Sequence, residues 1–329
     1  MKKVQFSLLL VFILLLFSEG VLRLWVADQT GISLIRMHHL PYKYYPELHG
    51  ISVRKLDLDQ INILLLGASV MEDVRGDVRS KLERSLQANT EKKVNVYNLS
   101  KPAHSSRDSR TKMELLGKRP YDLVIFYHSI NELRANCCPK EIFKTDYSHY
   151  SWYKETRLML RHPEIGLTVI PYCLDYLFEV ISGEGMDPGK IKNEWEPHCA
   201  DFKSKESYQK NVEAIVGLSE RLLLVNYAIH IPEKYDSSML DSFYTHTQFR
   251  SVPVELFGHP PVLASGIATH NAVLEAIVKN NTSCFGLPMD RLLTRSKANF
   301  NDVCHLTEAG AIEFVSYLGP KVAGILEER

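Results

Sequence analysis

Residues 61–66 read Ile-Asn-Ile-Leu-Leu-Leu, a near-continuous apolar run of the kind a strand shows when both of its faces are covered. The theme then repeats. Residues 78–87 carry apolar side chains at helical spacing, 94–99 read as a second strand and 106–116 as a second helix. Residues 121–127, entered from the breaker Pro120, read as a third strand. Strand, helix, strand, helix, strand at this spacing requires right-handed crossovers and a parallel sheet. The chain is therefore expected to be α/β from residue 60 onward, and 329 residues suffice to bury that core as one domain with an insertion.

The rhythm fails near residue 137. Residues 137–202 are rich in Tyr, Trp, Pro and charge, without a clear strand. Within them 152–161 and 174–181 have the pattern of amphipathic helices broken by Pro163 and Pro171, and Asp175 and Glu179 speak against a membrane span. This region is expected to be an insertion over the C-terminal end of the third strand, as a wall of a site or as packing. A helix at 205–220, a strand at 221–227, a polar excursion at 233–255 and a helix at 269–279 follow. A short strand at 282–287 and a last helix at 306–326, broken near Pro320, close the pattern. No internal repeat or low-complexity tract is present.

The N-terminus is a targeting or anchoring segment. Lys2 and Lys3 flank an apolar run at 4–17 broken only by Gln5 and Ser7, the length of a signal core. Ser18-Glu19-Gly20 offers small residues for cleavage, but residues 21–26 resume the apolar character and include Trp25, suited to a membrane interface. The organisation expected is an anchor or signal peptide at 1–27, a juxtamembrane linker at 28–59, and the α/β domain at 60–329 with its insertion at about 137–202. A retained single-pass anchor, with Lys2 and Lys3 cytoplasmic and the domain outside, is preferred over secretion after cleavage. Lys+Arg and Asp+Glu both total 39, so no net field draws the chain to nucleic acid. Six cysteines suit an exported protein and allow 15 pairings. Cys173 with Cys199 is the most economical pair, adjacent Cys137 and Cys138 are not expected to join each other, and Cys284 and Cys304 read equally well as buried thiols. No spacing suggests zinc, and no cofactor is expected.

The candidates for chemistry all follow strands. Ser69 follows the first, residues 101–106 the second and Asn131 the third, while Asp302 and His305 lie beyond the last. Ligands of an open parallel sheet bind at the carboxyl ends of its strands, so residues more than 230 positions apart are expected to converge there. Singly, each has a blander reading: Ser69 as a helix cap, Asn131 as a turn residue, Thr307 as the cap of the final helix. Together they supply an alcohol, an imidazole to take its proton, a carboxylate to orient the imidazole, and an amide for a developing oxyanion. Gly67 permits a tight turn before Ser69.

These blocks resemble those of the SGNH (GDSL-type) hydrolase superfamily. Leu64-Leu65-Leu66-Gly67-Ala68-Ser69 is similar to its strand and G-D-S, and Asn98-Leu99-Ser100-Lys101-Pro102-Ala103-His104-Ser105-Ser106 to its N-x-G-x-P-G-x-T-S. Ser129-Ile130-Asn131-Glu132 is similar to G-x-N-[DE], and Asp302-Val303-Cys304-His305-Leu306-Thr307 to D-x-x-H-[LP]-[ST], the most specific of the four. The resemblance implies a three-layer α/β/α sandwich with a flavodoxin-like sheet and no metal. It implies Ser69 as nucleophile, His305 as base, Asp302 as its partner, and an oxyanion hole from Ser69 N–H, Ala103 N–H and Asn131. Ala68 departs from the pattern's aspartate, Ser100 and Ala103 from its second-block glycines, and Ser129 from the third-block glycine. If the backbone at Ala103 needs φ > 0, alanine costs about 1 kcal/mol or more there.

Three functions follow as expectations. The first is an exported serine esterase acting on an oxygen ester, such as acetyl on an envelope carbohydrate. The second is an O-acyltransferase with the same triad and a sugar hydroxyl in place of water. The third is a carbohydrate-binding pseudoenzyme, motivated by the missing glycines. The aromatic residues Tyr147, Tyr150, Trp152 and Tyr153 are candidates for stacking on sugar rings, or for packing.

Overall fold

The computed structural model describes residues 2–52, 55–182, 199, 201–232 and 257–328. The polar excursion at 233–255 lies outside them. The strands are β1 (Ile61–Gly67), β2 (Val94–Asn98), β3 (Leu123–Tyr127), β4 (Leu222–Val225) and β5 (Cys284–Leu287). The longer helices are α1 (Lys2–Thr30), α2 (Val78–Gln87), α3 (Ser106–Leu116), α4 (Ser151–Arg161), α5 (Ile170–Ile181), α6 (Ser204–Leu218), α7 (Pro260–Asn280) and α8 (Glu308–Glu327). Packing divides the chain into two units, Met1–Gly50 with Tyr147–Lys190, and Ile51–Asp146 with Ile191–Arg329.

The second unit holds the sheet. Its order is β2-β1-β3-β4-β5, every neighbouring pair parallel, which is the flavodoxin-like arrangement. Because side chains alternate along a strand, Ile63, Leu65, Val94, Val96, Ile125, Leu223 and Val225 meet Val78 and Leu82 of α2 and Phe314, Leu318 and Val322 of α8. Helices α3, α6 and α7 pack as the other layer, completing α/β/α. The run at 61–66 is apolar but for Asn62 because both faces of β1 are covered, and the buried Asn62 amide donates to Asp57 O and Gln60 O.

Local chemistry sets the helix starts. The Asp77 carboxylate accepts from Ser80 N at the head of α2. Ser105 and Asp108 form a capping box on α3, and the Thr307 hydroxyl accepts from Gly310 N at the head of α8. A Cβ on Gly310 would lie 2.0 Å from the Asn299 carbonyl oxygen, so this turn admits only glycine. Pro320 does not break the last helix as expected. Pro320 and Ser316 are both exposed, so the carbonyl that loses its N–H partner faces water. Likewise Pro171 does not break a helix but sits in the first turn of α5, where its missing N–H has no partner to lose.

Cys137 is bonded to Cys199, not Cys173 to Cys199. Proximity in sequence misleads here because Cys173 belongs to the first unit and is a buried thiol, whereas Cys137 and Cys199 both belong to the second. The bridge spans a sequence separation of 62, which stabilises by about 4 kcal/mol if it acts by restricting the unfolded chain. Cys138, Cys284 and Cys304 are buried thiols.

The first unit has its own small core of Val26, Met37, Leu40, Tyr45, Leu48, Leu158, Ile165 and Val169. Residues 28–59, read from sequence as a linker, thus contribute packed side chains to this core as far as Leu48, and Leu56 is buried too. Tyr147, Trp152 and Tyr153 also fall here. Trp152 packs edge-on against Tyr44 and Tyr45, and Tyr147 packs against Tyr153, which is the packing alternative for that aromatic cluster. Among the described residues two helices are long and apolar enough to cross a membrane: α7 is a core helix with Leu263, Ile267, Leu274 and Ile277 buried, whereas α1 carries its apolar side chains at 4–17 exposed.

Candidate active site

Strand β1 ends at Gly67, and the next residues turn through a single helical turn at Ser69–Met71. A Cβ on Gly67 would lie 2.8 Å from Met71 Cβ and from Ser100 Oγ, so the tightness of this turn depends on glycine. The turn presents the Ser69 hydroxyl 2.7 Å from His305 Nε2. His305 Nδ1 lies 2.6 Å from Asp302 Oδ2. An alcohol, an imidazole and a carboxylate thus form one hydrogen-bonded chain across 236 positions.

The loop carrying Asp302 and His305 is held rigid from several sides. Asp302 Oδ1 accepts from Cys304 N at 2.9 Å and from His305 N at 2.8 Å. The residues around it are tied by Asn301 N to His305 O, by His230 N to Val303 O and by the bridge between Phe300 and Leu306. Burial alone would raise the Asp302 carboxyl, yet the hydrogen bond and charge of the His305 ring, helped by the two backbone donors, hold it below the usual carboxylate range. For His305, burial opposes the charged ring, but the neighbouring Cys304 sulfur and the Asp302 carboxylate outweigh it and raise its pKa. The Cys304 thiol is itself pushed up by burial and stays protonated at neutral pH, so the carboxylate supplies the lasting attraction.

A raised His305 has a readable consequence. An imidazole accepts a proton only when neutral, so kcat/KM is expected to climb with pH through neutrality and to level off on the alkaline side. Stability should run the other way. A raised folded pKa stabilises fully below the unfolded value of about 6.5, and that contribution is lost as pH rises through the folded value. Asp302, depressed when folded, stabilises above about 3.9 and loses its contribution as pH falls further. A pH–rate profile beside thermal melts of wild type and His305→Ala checks both signs.

The second block lies after β2, and Ala103 stands in the left-handed region at φ +62°. The backbone conformation that glycine would favour is therefore kept with a side chain present, at a cost of about 1–2 kcal/mol. Ala103→Gly is expected to raise stability by about 0.5–1 kcal/mol, the relief of strain less the added freedom of the unfolded chain. A denaturant midpoint measures it. Ser100, at the other glycine position, has a buried hydroxyl without a partner among the described residues. Ser129, at the third-block glycine, is hydrogen-bonded: its hydroxyl meets His270 Nδ1 at 2.9 Å, and His270 Nε2 meets Ser204 Oγ at 3.0 Å. Burial pushes His270 down to about 3, so it is a neutral structural ring.

Asn131 sits in the turn Ile130–Glu132 after β3, and its Nδ2 donates to His104 O at 2.8 Å, binding the third block to the second. Lys112 and Glu132 were not singled out from sequence for any role, yet both support this loop. Lys112, wholly buried on α3, donates to Leu99 O at 2.5 Å and lies 2.7 Å from His104 Nδ1. Glu132 accepts from Ser106 N. The glutamate was visible in the N-[DE] pair; the lysine had no signal, being one cation in a helix of mixed charge. Asp302, Cys304 and His305 also form a group of possible metal ligands within 4.8 Å of one another, but Asp302 Oδ2 and His305 Nδ1 are already bonded to each other.

No protein-family model matches the chain, and no curated protein sequence does. Among solved structures it is similar to a family 3 carbohydrate esterase from Clostridium thermocellum, at 9% identity and a TM-score of 0.45, covering 82% of this chain and 98% of that one. It is similar to a putative acylhydrolase from Bacteroides fragilis at 11% identity and 0.46, covering 88% and 98%. It is also similar to a variant of an acetyl xylan esterase from Geobacillus stearothermophilus at 12% identity and 0.43, covering 79% and 94%.

Proposed function

We propose that the chain is a serine esterase of the SGNH type that cleaves an oxygen ester through an acyl-Ser69 intermediate. The observation that carries this reading is the continuous chain Ser69 Oγ–His305 Nε2 and His305 Nδ1–Asp302 Oδ2, at 2.7 and 2.6 Å. His305 takes the Ser69 proton as the oxygen attacks the ester carbonyl, then delivers it to the departing alkoxide. Water, activated by the same imidazole, releases the acid. The backbone N–H groups of Ser69 and Ala103 and the Asn131 amide receive the oxyanion, each donor worth about 3 kcal/mol in the transition state. Asn131 Nδ2 has two hydrogens and uses one on His104 O, which orients the other.

Acetyl on an envelope carbohydrate is the substrate class we infer from the block resemblance. The binder reading loses its motive, because the loop at Ala103 adopts the left-handed turn without glycine. We further propose that α1 is a retained anchor with the catalytic unit outside the cytoplasm, supported by the exposed apolar run at 4–17. Treatment of the full chain with a fluorophosphonate, followed by peptide mass spectrometry, is expected to find the adduct on Ser69. An intact, unlabelled Ser69 overturns the enzyme reading. Adding an oligosaccharide acceptor to the acetyl-ester assay separates hydrolysis from transfer, since a transferase diverts acetyl from water.

A further inference from the structure

Helix α5 exposes a stripe that a water-soluble surface would not carry. Leu174, Leu177, Phe178 and Ile181 follow the i, i+3, i+4, i+7 spacing of one helix face, and they are 61%, 52%, 71% and 75% exposed. Leu167, just before the helix, is 86% exposed. The opposite face is polar and engaged. Glu179 is buried and pairs with Arg157 at 3.2 Å, Lys154 at 3.8 Å and Arg161, while Asp175 Oδ2 lies 3.0 Å from His162 Nε2. Tyr172 and Cys173 are buried as well. The helix therefore cannot roll to hide its stripe without breaking this network.

What covers the stripe is indicated by what α5 is attached to. The turn before it is bonded to α1 within the same unit. Arg23 donates to Leu167 O at 2.7 Å, and Glu19 accepts from the Thr168 hydroxyl at 2.8 Å and from Val169 N at 3.0 Å. Trp25 packs on Tyr176 with ring centroids 5.1 Å apart. Glu19 and Arg23 lie directly after the apolar run at 4–17, and Lys3 to Trp25 spans about 33 Å of helix against a hydrocarbon thickness of about 30 Å. Arg23, about 30 Å of helix beyond Lys3, thus reaches the far headgroup level, and it is bonded to the turn from which α5 leaves.

We propose that α5 is an interfacial helix, lying in the outer leaflet's headgroup region with Leu174, Leu177, Phe178 and Ile181 toward the acyl chains. It is too short and too charged to span, in keeping with Asp175 and Glu179. The inference rests on α1 being a retained anchor. It gives the first unit a second hold on the bilayer, continuous with the first.

The test uses the full chain in vesicles of phosphatidylethanolamine and phosphatidylglycerol, with a nitroxide at Phe178→Cys, Ile181→Cys or Leu10→Cys. The native thiols are buried and the labelled positions exposed, so neither fold nor background labelling interferes. Collision with oxygen is expected to exceed collision with a water-soluble nickel chelate at 178 and 181, as at 10. A water-exposed label at 178 with a lipid-exposed label at 10 overturns the inference and leaves the anchor standing. Water exposure at all three overturns the anchor and the inference with it. A label at 178 shielded from both reagents, with spin–spin broadening, means that a second copy covers the stripe, which also overturns the inference.

Discussion

Ser69→Ala is expected to lower kcat/KM for an oxygen ester by roughly 10⁶-fold while leaving the thermal midpoint almost where it was. The size follows from covalent catalysis. Without the oxygen no acyl intermediate forms, and only binding and the oxyanion donors remain to assist water, worth about 10³–10⁴-fold over solution. The small stability change follows from position. Ser69 is half-buried in a one-turn helix, and its side chain makes one hydrogen bond, to His305 Nε2, worth about 1 kcal/mol. Steady-state kinetics with an acetyl ester, beside melts of the same preparations, check both parts. Activity within tenfold of wild type would remove Ser69 from the mechanism. An equal loss of activity and fold would mean only that the turn after β1 had collapsed.

Asp302→Asn should cost roughly 10⁴-fold in kcat. The amide can keep its oxygen at the Oδ1 position, where Cys304 N and His305 N donate, so the loop has no cause to move. Its NH₂ then faces His305 Nδ1, which must become the acceptor. The ring proton shifts to Nε2, where it points at Ser69 instead of accepting from it. The variant also removes the charge that holds His305 up, so the rise of the pH–rate profile should move to lower pH, toward neutrality. Loss of rate with that displacement separates the tautomer argument from simple unfolding. An unmoved profile at full activity would assign the orienting role elsewhere.

Much of this was readable in one dimension, and for definite reasons. The limits of α2 and α3 at Val78–Gln87 and Ser106–Leu116 match those expected, because capping by Asp77 and by Ser105 with Asp108 is encoded within a few residues of each start. The meeting of Ser69 with Asp302 and His305 was readable as well, since strands of a parallel sheet all deliver their loops to one edge. What failed was whatever depended on distant neighbours. Pro320 continues a helix because its freed carbonyl faces solvent, and Cys199 joins Cys137 because the two share a packing unit. The exposed apolar stripe of α5 is half legible: its spacing stands in the sequence, but the engagement of its polar face does not.

From residue order alone come the parallel α/β layout, the apolar N-terminal helix, and the alcohol, imidazole and carboxylate with their places at strand ends. These rest on periodicities and turn chemistry that act over a few residues. Tertiary structure alone decided that Lys112 and Glu132 brace the second-block loop, that Ala103 holds a left-handed turn, that Ser129 has a partner in His270, and that the Glu179 network keeps the apolar face of α5 outward. Each depends on a partner from another part of the fold, and burial and charge pairing between distant segments leave no local pattern to read.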